Sequence, residues 1–349
     1  MVSSIRPALT FSYAIAGRAL SIEASDEWSA KIASRFFRDF YLDPEHGTPK
    51  PTPNFTIRIF SYGQPPPIPE GLETFEVAFG HCRTDGERYY LTVEDSLVVT
   101  GVGADRDSLD IWVGNTVHAR QSLCLFNLMS YALEISLRRC GLYQIHGAGL
   151  VTRDRKASAL IFGASCSGKS TLTALLASRG WLYLTDDALL LSQEGDVVKA
   201  RGIRRFFSAS EATLASCSLR NFSEAVGDPM LSDPHKRRLE PLVAFPNQFV
   251  SSCVPQTLFF ASITGTDRSE VQSTTRTDTM ARLIRSNPWA SYDRSTARDH
   301  LQILSRLTNQ CKAFYLRAGL DVLSDPSCAE ALLLPLMDHE DSEVLLQAT

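Results

Sequence analysis

The sequence predicts an α+β fold in two parts, and three observations carry that prediction. Short runs of strand character, cut by glycine and proline, crowd the first hundred or so residues. An extensively apolar stretch at helical spacing follows, from His118 to Arg139. Beyond it, the segment Gly163–Thr171 stands between an apolar run, Ala157–Phe162, and a helix-compatible one, Ser170–Arg179.

In the first part, Phe11–Ala14 and Ala19–Ile22 read as strands on either side of Gly17. Trp28, Ile32, Phe36 and Phe37 recur at helical spacing within Trp28–Tyr41, and Asp43–Asn54, with four prolines, reads as a loop. Phe55–Phe60 alternates as a half-buried strand that Pro65–Pro69 ends. Leu72–Ala78, Arg88–Val93, Ser96–Thr100 and Leu109–Val113 are further strands, with turns at Gly80, Asp85-Gly86 and Gly101–Asp107. Residues 1–117 are thus expected as an amino-terminal α+β recognition or accessory module, 118–139 as a junction helix, and 140–340 as a second domain.

That second domain is expected to open on one strand, Leu142–Val151, which carries Ile145-His146-Gly147-Ala148-Gly149. Asp154-Arg155-Lys156 turns the chain into the strand before Gly163, and Gly180 stops the helix after it. Trp181–Leu184 reads as a short strand closed by Thr185-Asp186-Asp187, with Ala188–Ser192 continuing. Further on, Ser210–Cys217, Asp278–Arg285, Ala297–Gln310 and Cys328–Met337 read as helices, Gln256–Ile263 and Lys312–Leu316 as strands, Asn221–Pro234 as loop, and the acidic end as frayed.

Composition narrows the function classes. A formal charge of −4 over 349 residues gives no basic footprint for nucleic acid. Eight cysteines without CxxC or metal-site spacing fit a reduced, intracellular protein. Charges at Arg6, Arg18, Glu23, Asp26 and Glu27 break any apolar segment near the start, so neither a signal peptide nor a spanning helix is read there, and a cytoplasmic location is expected.

Gly163-Ala164-Ser165-Cys166-Ser167-Gly168-Lys169-Ser170-Thr171 has the full spacing of a phosphate loop. Small residues let backbone N–H groups turn inward around phosphate oxygens, and the following helix start adds unpaired donors. Lys169 can reach the outer phosphates, the Ser170 hydroxyl can ligate Mg2+, and Thr171 can support the first helical turn or the nucleotide. An ordinary tight strand-to-helix turn would use the glycines but not the lysine and serine.

Asp186 and Asp187 follow Lys169 by 17 and 18 residues, at the end of the next apolar segment. One can organise a metal ion or its water shell, and the other can accept the proton of an attacking hydroxyl. Both serve only if the strand has ended or bends there, because consecutive strand residues face opposite ways; a solvent-facing acidic turn is the alternative. His146 is read either as a histidine satisfied in the core or as a group that orients an aspartate or the transferred phosphate. Arg201, Arg204, Arg205 and the run Lys236-Arg237-Arg238 are candidate phosphate or substrate contacts, of which one or two are expected to face the site.

His146 in Ile-His-Gly-Ala, the Gly163–Thr171 loop, and Asp186-Asp187 after Arg179-Gly180-Trp181-Leu182 resemble the HPr serine kinase/phosphorylase family, above all its divergent relatives associated with modified peptides such as lasso peptides. The resemblance implies a P-loop kinase core related to phosphoenolpyruvate carboxykinases, with Lys169 on phosphates, Ser170 and Asp186 toward Mg2+, and Asp187 as base near His146. It also implies ATP as donor and a peptide or small-protein serine as acceptor, in one form the carboxy-terminal serine of a precursor peptide. A homo-oligomer is compatible with it. The family's glutamate before an Arg-Gly-hydrophobic-Gly-Ile-like run has no counterpart in Val198–Arg204, which puts a phosphorylase reaction in doubt. Two other readings share the loop: a kinase of HPr or of a small metabolite, and a nucleotide-regulated binding or scaffold protein.

Overall fold

Strand pairing, more than local propensity, sets the architecture, a mixed α+β fold. The computed structural model describes residues 9–41, 54–61, 63–77, 80–101, 106–116, 120–219, 222–230, 233–287 and 293–337. Most of the expected proline-rich loop after Asp43, most of the Gly101–Asp107 turn, the start of the junction helix and the acidic end lie outside the described residues. The chain divides into two units, Met1–Tyr143 with Asp293–Ala297, and Gln144–Tyr292 with Arg298–Thr349.

The first unit holds β1 (Leu9–Ile15), β2 (Arg18–Ala24), β3 (Phe55–Phe60), β4 (Glu73–Val77), β5 (Gly80–Thr84), β6 (Tyr89–Val93), β7 (Ser96–Thr100) and β8 (Ser108–Trp112). They form one eight-stranded sheet, order β1-β2-β3-β8-β7-β6-β5-β4, parallel across β2, β3 and β8 and antiparallel elsewhere. Phe55, Ile57 and Ile59 are buried, as their alternation requires. The sequence reading has no β5, because His81 and Arg83 point outward and leave only Cys82 and Thr84 inside. Asp26 caps helix α1 (Glu27–Phe37) by accepting the Ser29 N–H at 2.8 Å. The Phe36 ring of α1 meets Phe126 of α2 (Ser122–Arg139) at a centroid distance of 5.3 Å.

The remaining strands, in chain order, are β9 (Tyr143–His146), β10 (Ala148–Val151), β11 (Ser158–Phe162), β12 (Leu182–Thr185), β13 (Ala188–Glu194), β14 (Val197–Gly202), β15 (Phe207–Ser210), β16 (Val226–Pro229), β17 (Lys236–Leu239), β18 (Ser252–Cys253), β19 (Thr257–Ile263), β20 (Glu270–Ser273) and β21 (Lys312–Ala318). Three sheets result, with orders β12-β10-β11-β19-β21-β20, β18-β14-β13-β9 and β15-β17-β16. The helices are α3 (Lys169–Ser178), α4 (Glu211–Ser216), α5 (Pro241–Ala244), α6 (Arg276–Arg285), α7 (Arg294–Gln310), α8 (Leu320–Ser324) and α9 (Pro326–Met337).

The strand expected over Leu142–Val151 is in fact two strands in two sheets. The break is at Gly147, whose N–H donates to the Asp187 carbonyl at 3.0 Å instead of to a neighbouring strand. The short β16 falls where a loop was expected, because Gly227, Asp228 and Pro229 carry no strand signal. Parallel β11, β19 and β21 form the centre of the larger sheet, and Leu172, Leu175 and Leu176 of α3 share one core with Trp181, Phe259 and Phe314. Among the described residues no helix is long and apolar enough to cross a membrane.

Candidate functional site

The direction of three neighbouring strands brings the candidate residues to one edge. β10 is antiparallel to both β11 and β12, with Ala148 opposite Ile161 and Gly149 opposite Thr185. β11 and β12 therefore run the same way, and their carboxyl ends lie where β10 begins. His146 ends β9, with only Gly147 between it and β10, Gly163 follows β11, and Asp186 follows β12. The carboxyl ends of such strands are where open α/β sheets hold ligands.

The Gly163–Gly168 loop joins β11 to α3. Gly163 has φ +156°, and a Cβ there would stand 2.5 Å from the Ala261 carbonyl and 2.4 Å from Ser167 Oγ, so no other residue fits. Ser167 Oγ is buried without a hydrogen-bond partner. Lys169 is only 5% exposed, and its Nζ donates to the Gly163 and Ala164 carbonyls, each at 2.9 Å. Burial pushes its pKa down, and the Asp187 and Asp186 charges oppose that. Thr171 points elsewhere, its hydroxyl paired with Thr213 Oγ1 of α4 at 2.8 Å.

Asp186 and Asp187 make up the two-residue connection between β12 and β13, so the strand has ended and neither is tied to alternate faces. Asp186 is 1% exposed; Oδ2 accepts the Ser208 N–H at 2.9 Å, and Oδ1 has no hydrogen-bond partner. Burial, then the adjacent Asp187 charge, raises its pKa, while Ser208 N–H, the Ser170 hydroxyl and Arg204 restrain the rise. Asp187 is half-buried. Burial would raise its pKa too, but the His146 hydrogen bond, Arg204 and Lys169 together outweigh burial and hold it well below the usual carboxylate range. His146 Nδ1 lies 3.1 Å from Oδ1, and Arg204 Nε 3.7 Å from Oδ2.

The basic candidates separate by strand alternation. Lys236 and Arg238 lie on one face of β17, with Lys236 Nζ 3.6 Å from Cys166 Sγ in the loop. The Arg238 guanidinium stacks over Phe206 at 4.3 Å and pairs with Glu240 at 2.6 Å, and Arg204 reaches the same ring at 5.4 Å. Arg237, on the other face, bonds the Gly227 carbonyl at 3.0 Å and lies 4.0 Å from Glu211. Arg201 is turned to Ser192 Oγ at 2.9 Å and to Glu194. The sequence reading missed Ser208, which acts through its backbone and so leaves no residue-type signal. It also missed Phe206, although the run Arg204-Arg205-Phe206-Phe207 held a clue.

The edge thus combines a loop able to wrap an anion, a buried ammonium, an ionised carboxylate held by a histidine and an arginine, and a second, deeply buried carboxylate. Among the described residues no group of three or more His, Cys, Asp or Glu side chains is arranged to hold a metal. A separate cavity of about 310 Å3, beside Ser158, Cys253 and Gln256, lies at the opposite end of β11.

No family model and no curated protein matches the chain. Among solved structures it is distantly similar to the HPr(Ser) kinase/phosphatase from Coxiella burnetii, at 12% identity, 55% of this chain and 93% of that one covered, and a TM-score of 0.30. A likeness at that level transfers no residue roles.

Proposed function

We propose that this chain is an ATP-dependent kinase that transfers the γ-phosphoryl group to a serine hydroxyl of a peptide. One observation carries the reading: Asp187, held by His146 at 3.1 Å and Arg204 at 3.7 Å, lies at the same sheet edge as the Gly163–Gly168 loop and buried Lys169. The peptide acceptor follows from the resemblance of His146, the loop and Asp186-Asp187 to peptide-modifying kinases; the carboxy-terminal serine of a lasso-type precursor is its most specific form.

The loop's N–H groups and the start of α3 bind the donor phosphates. Lys169 exchanges its two carbonyl partners for phosphate oxygens, and Arg204 and Lys236 add positive charge around the transferred group. His146 orients the Asp187 carboxylate toward the acceptor. As the serine oxygen bonds to the γ-phosphorus, its proton passes to Asp187; the bond from that phosphorus to the β–γ bridging oxygen breaks, and ADP leaves with the bridging oxygen. The Ser170 hydroxyl and the open Asp186 oxygen suit Mg2+, which takes one or two protein oxygens and completes its shell with phosphate and water. When bound, it neutralises phosphate charge.

The test is mass spectrometry of candidate precursor peptides after incubation with Mg–ATP. Gain of one phosphate on serine is expected with the natural chain, and at least a hundredfold less with Lys169→Met or Asp187→Asn. An undiminished gain with Lys169→Met would overturn the mechanism, and nucleotide binding without transfer to any acceptor would make the chain a nucleotide-regulated binding protein instead.

A further inference from the structure

The order of the larger sheet gives a bound nucleotide a direction. β10 and β12 flank β11 on one side, and β19 and β21 follow on the other. Asp186, Asp187 and His146 all belong to the β10–β12 side, so the reacting phosphate lies there and the nucleoside must leave across β19 and β21. At the carboxyl ends of those two strands, the aliphatic side chains of Ile263 and Leu320 are exposed, and Leu323 is half-buried against the core. A Cβ on Gly168 would lie 3.3 Å from Leu323 Cδ2 and 3.5 Å from Ile263 Cγ1. Ile263, the last residue of β19, is 49% exposed, and Leu320, the first of α8, is 53% exposed. The Leu320 N–H donates to the Thr266 carbonyl at 2.8 Å, which ties α8 to the turn following Ile263.

Single exposed leucines need no explanation. Two exposed aliphatic residues, Ile263 and Leu320, at the ligand-binding ends of parallel strands, together with Leu323 beside Gly168, do. We propose that Ile263, Leu320 and Leu323 form the shelf on which the base and ribose of the nucleoside triphosphate rest; this builds on the kinase reading. The hydroxyl and carboxyl groups of Thr264, Thr266, Ser269 and Asp321 are already engaged with one another and with the backbone. Thr264 Oγ1 pairs with Thr266 Oγ1 at 2.7 Å, Thr266 Oγ1 lies 2.9 Å from the Arg268 carbonyl, and Asp321 accepts the Ser269 N–H at 3.0 Å and hydroxyl at 2.6 Å. The shelf therefore reads the face of a base and not its edge, and the chain accepts ATP and GTP nearly alike.

Calorimetry of the full chain with Mg2+ and ATP, GTP or inorganic tripolyphosphate tests this. ATP and GTP affinities are expected within about threefold of each other, since edge hydrogen bonds would separate them by far more. Combining Ile263→Ser with Leu320→Ser, both exposed positions, is expected to weaken ATP about tenfold through lost apolar contact and to leave tripolyphosphate unchanged. If tripolyphosphate binds but the double variant keeps full ATP affinity, or if one base is strongly preferred, the shelf is overturned while the phosphate loop stands. If the natural chain fails to bind tripolyphosphate or ATP, the kinase reading falls and the shelf with it.

Discussion

Asp186 and Asp187 are chemically identical neighbours that the fold drives in opposite directions. Asp187 gains a histidine and an arginine; Asp186 gains one backbone N–H and a buried position that disfavours its charge. Below the ordinary aspartate range, Asp186 is protonated in both folded and unfolded chains and costs nothing. As pH rises from the ordinary aspartate value to its elevated folded value, the unfolded chain ionises first and stability falls, levelling off once the folded chain carries the charge too. Asp186→Asn, which keeps an acceptor for Ser208 N–H, is therefore expected to stabilise the protein at neutral pH by ~1.4 kcal/mol per pKa unit of elevation, with the gain fading in acid. Urea titrations of both proteins across the pH range check it; a gain independent of pH would contradict it. At this scale the loop, the two aspartates and His146 were legible because residue type and spacing specify them. The basic groups were not, since only the β17 register turns Lys236 and Arg238 one way and Arg237 the other.

Elements hold those residues in place through close backbone approaches. The end of β14 lies against the end of β12, and a Cβ on Gly202 would come within 2.2 Å of the Leu184 carbonyl oxygen. Backbone cannot yield as a flexible side chain can. Gly202→Ala is expected to cost about 1–3 kcal/mol and, under the kinase proposal, to lower turnover more than nucleotide affinity by moving the strand that leads to Asp186. Thermal denaturation and steady-state kinetics read the two effects. Strands with strong alternation, such as β3, and helices with a full apolar face, such as α2, were legible. The split of β9 from β10 was not: a continuous β-prone run says nothing of a glycine whose N–H is taken by a distant carbonyl.

At the scale of the whole chain, a buried ion pair joins distant parts of the sequence. Arg138, 1% exposed, places Nε 3.3 Å from Asp293 Oδ2 and donates through Nη2 to Thr296 Oγ1 at 2.9 Å, while Arg139 lies 3.7 Å from Asp293 Oδ1. Burial alone would raise the Asp293 pKa, but Thr296, Ser295 and the two arginines bring it below the ordinary value. Asp293→Ala takes a buried carboxylate from both Arg138 and Arg139, at an expected cost of ~3–5 kcal/mol. Adding Arg138→Met should recover much of that, and equilibrium denaturation of the single and double variants measures the difference. A contiguous second part after residue 140 was the sequence reading; nothing in residues 293–297 announces that they complete the first unit, because their partners lie some 150 residues away. The interleaving has a consequence for synthesis. A ribosome adding ~5–20 residues per second releases the eight-stranded sheet and Arg138 of α2 long before it adds Asp293. The first-made unit is thus the one that waits, for a buried carboxylate that only its own later sequence supplies.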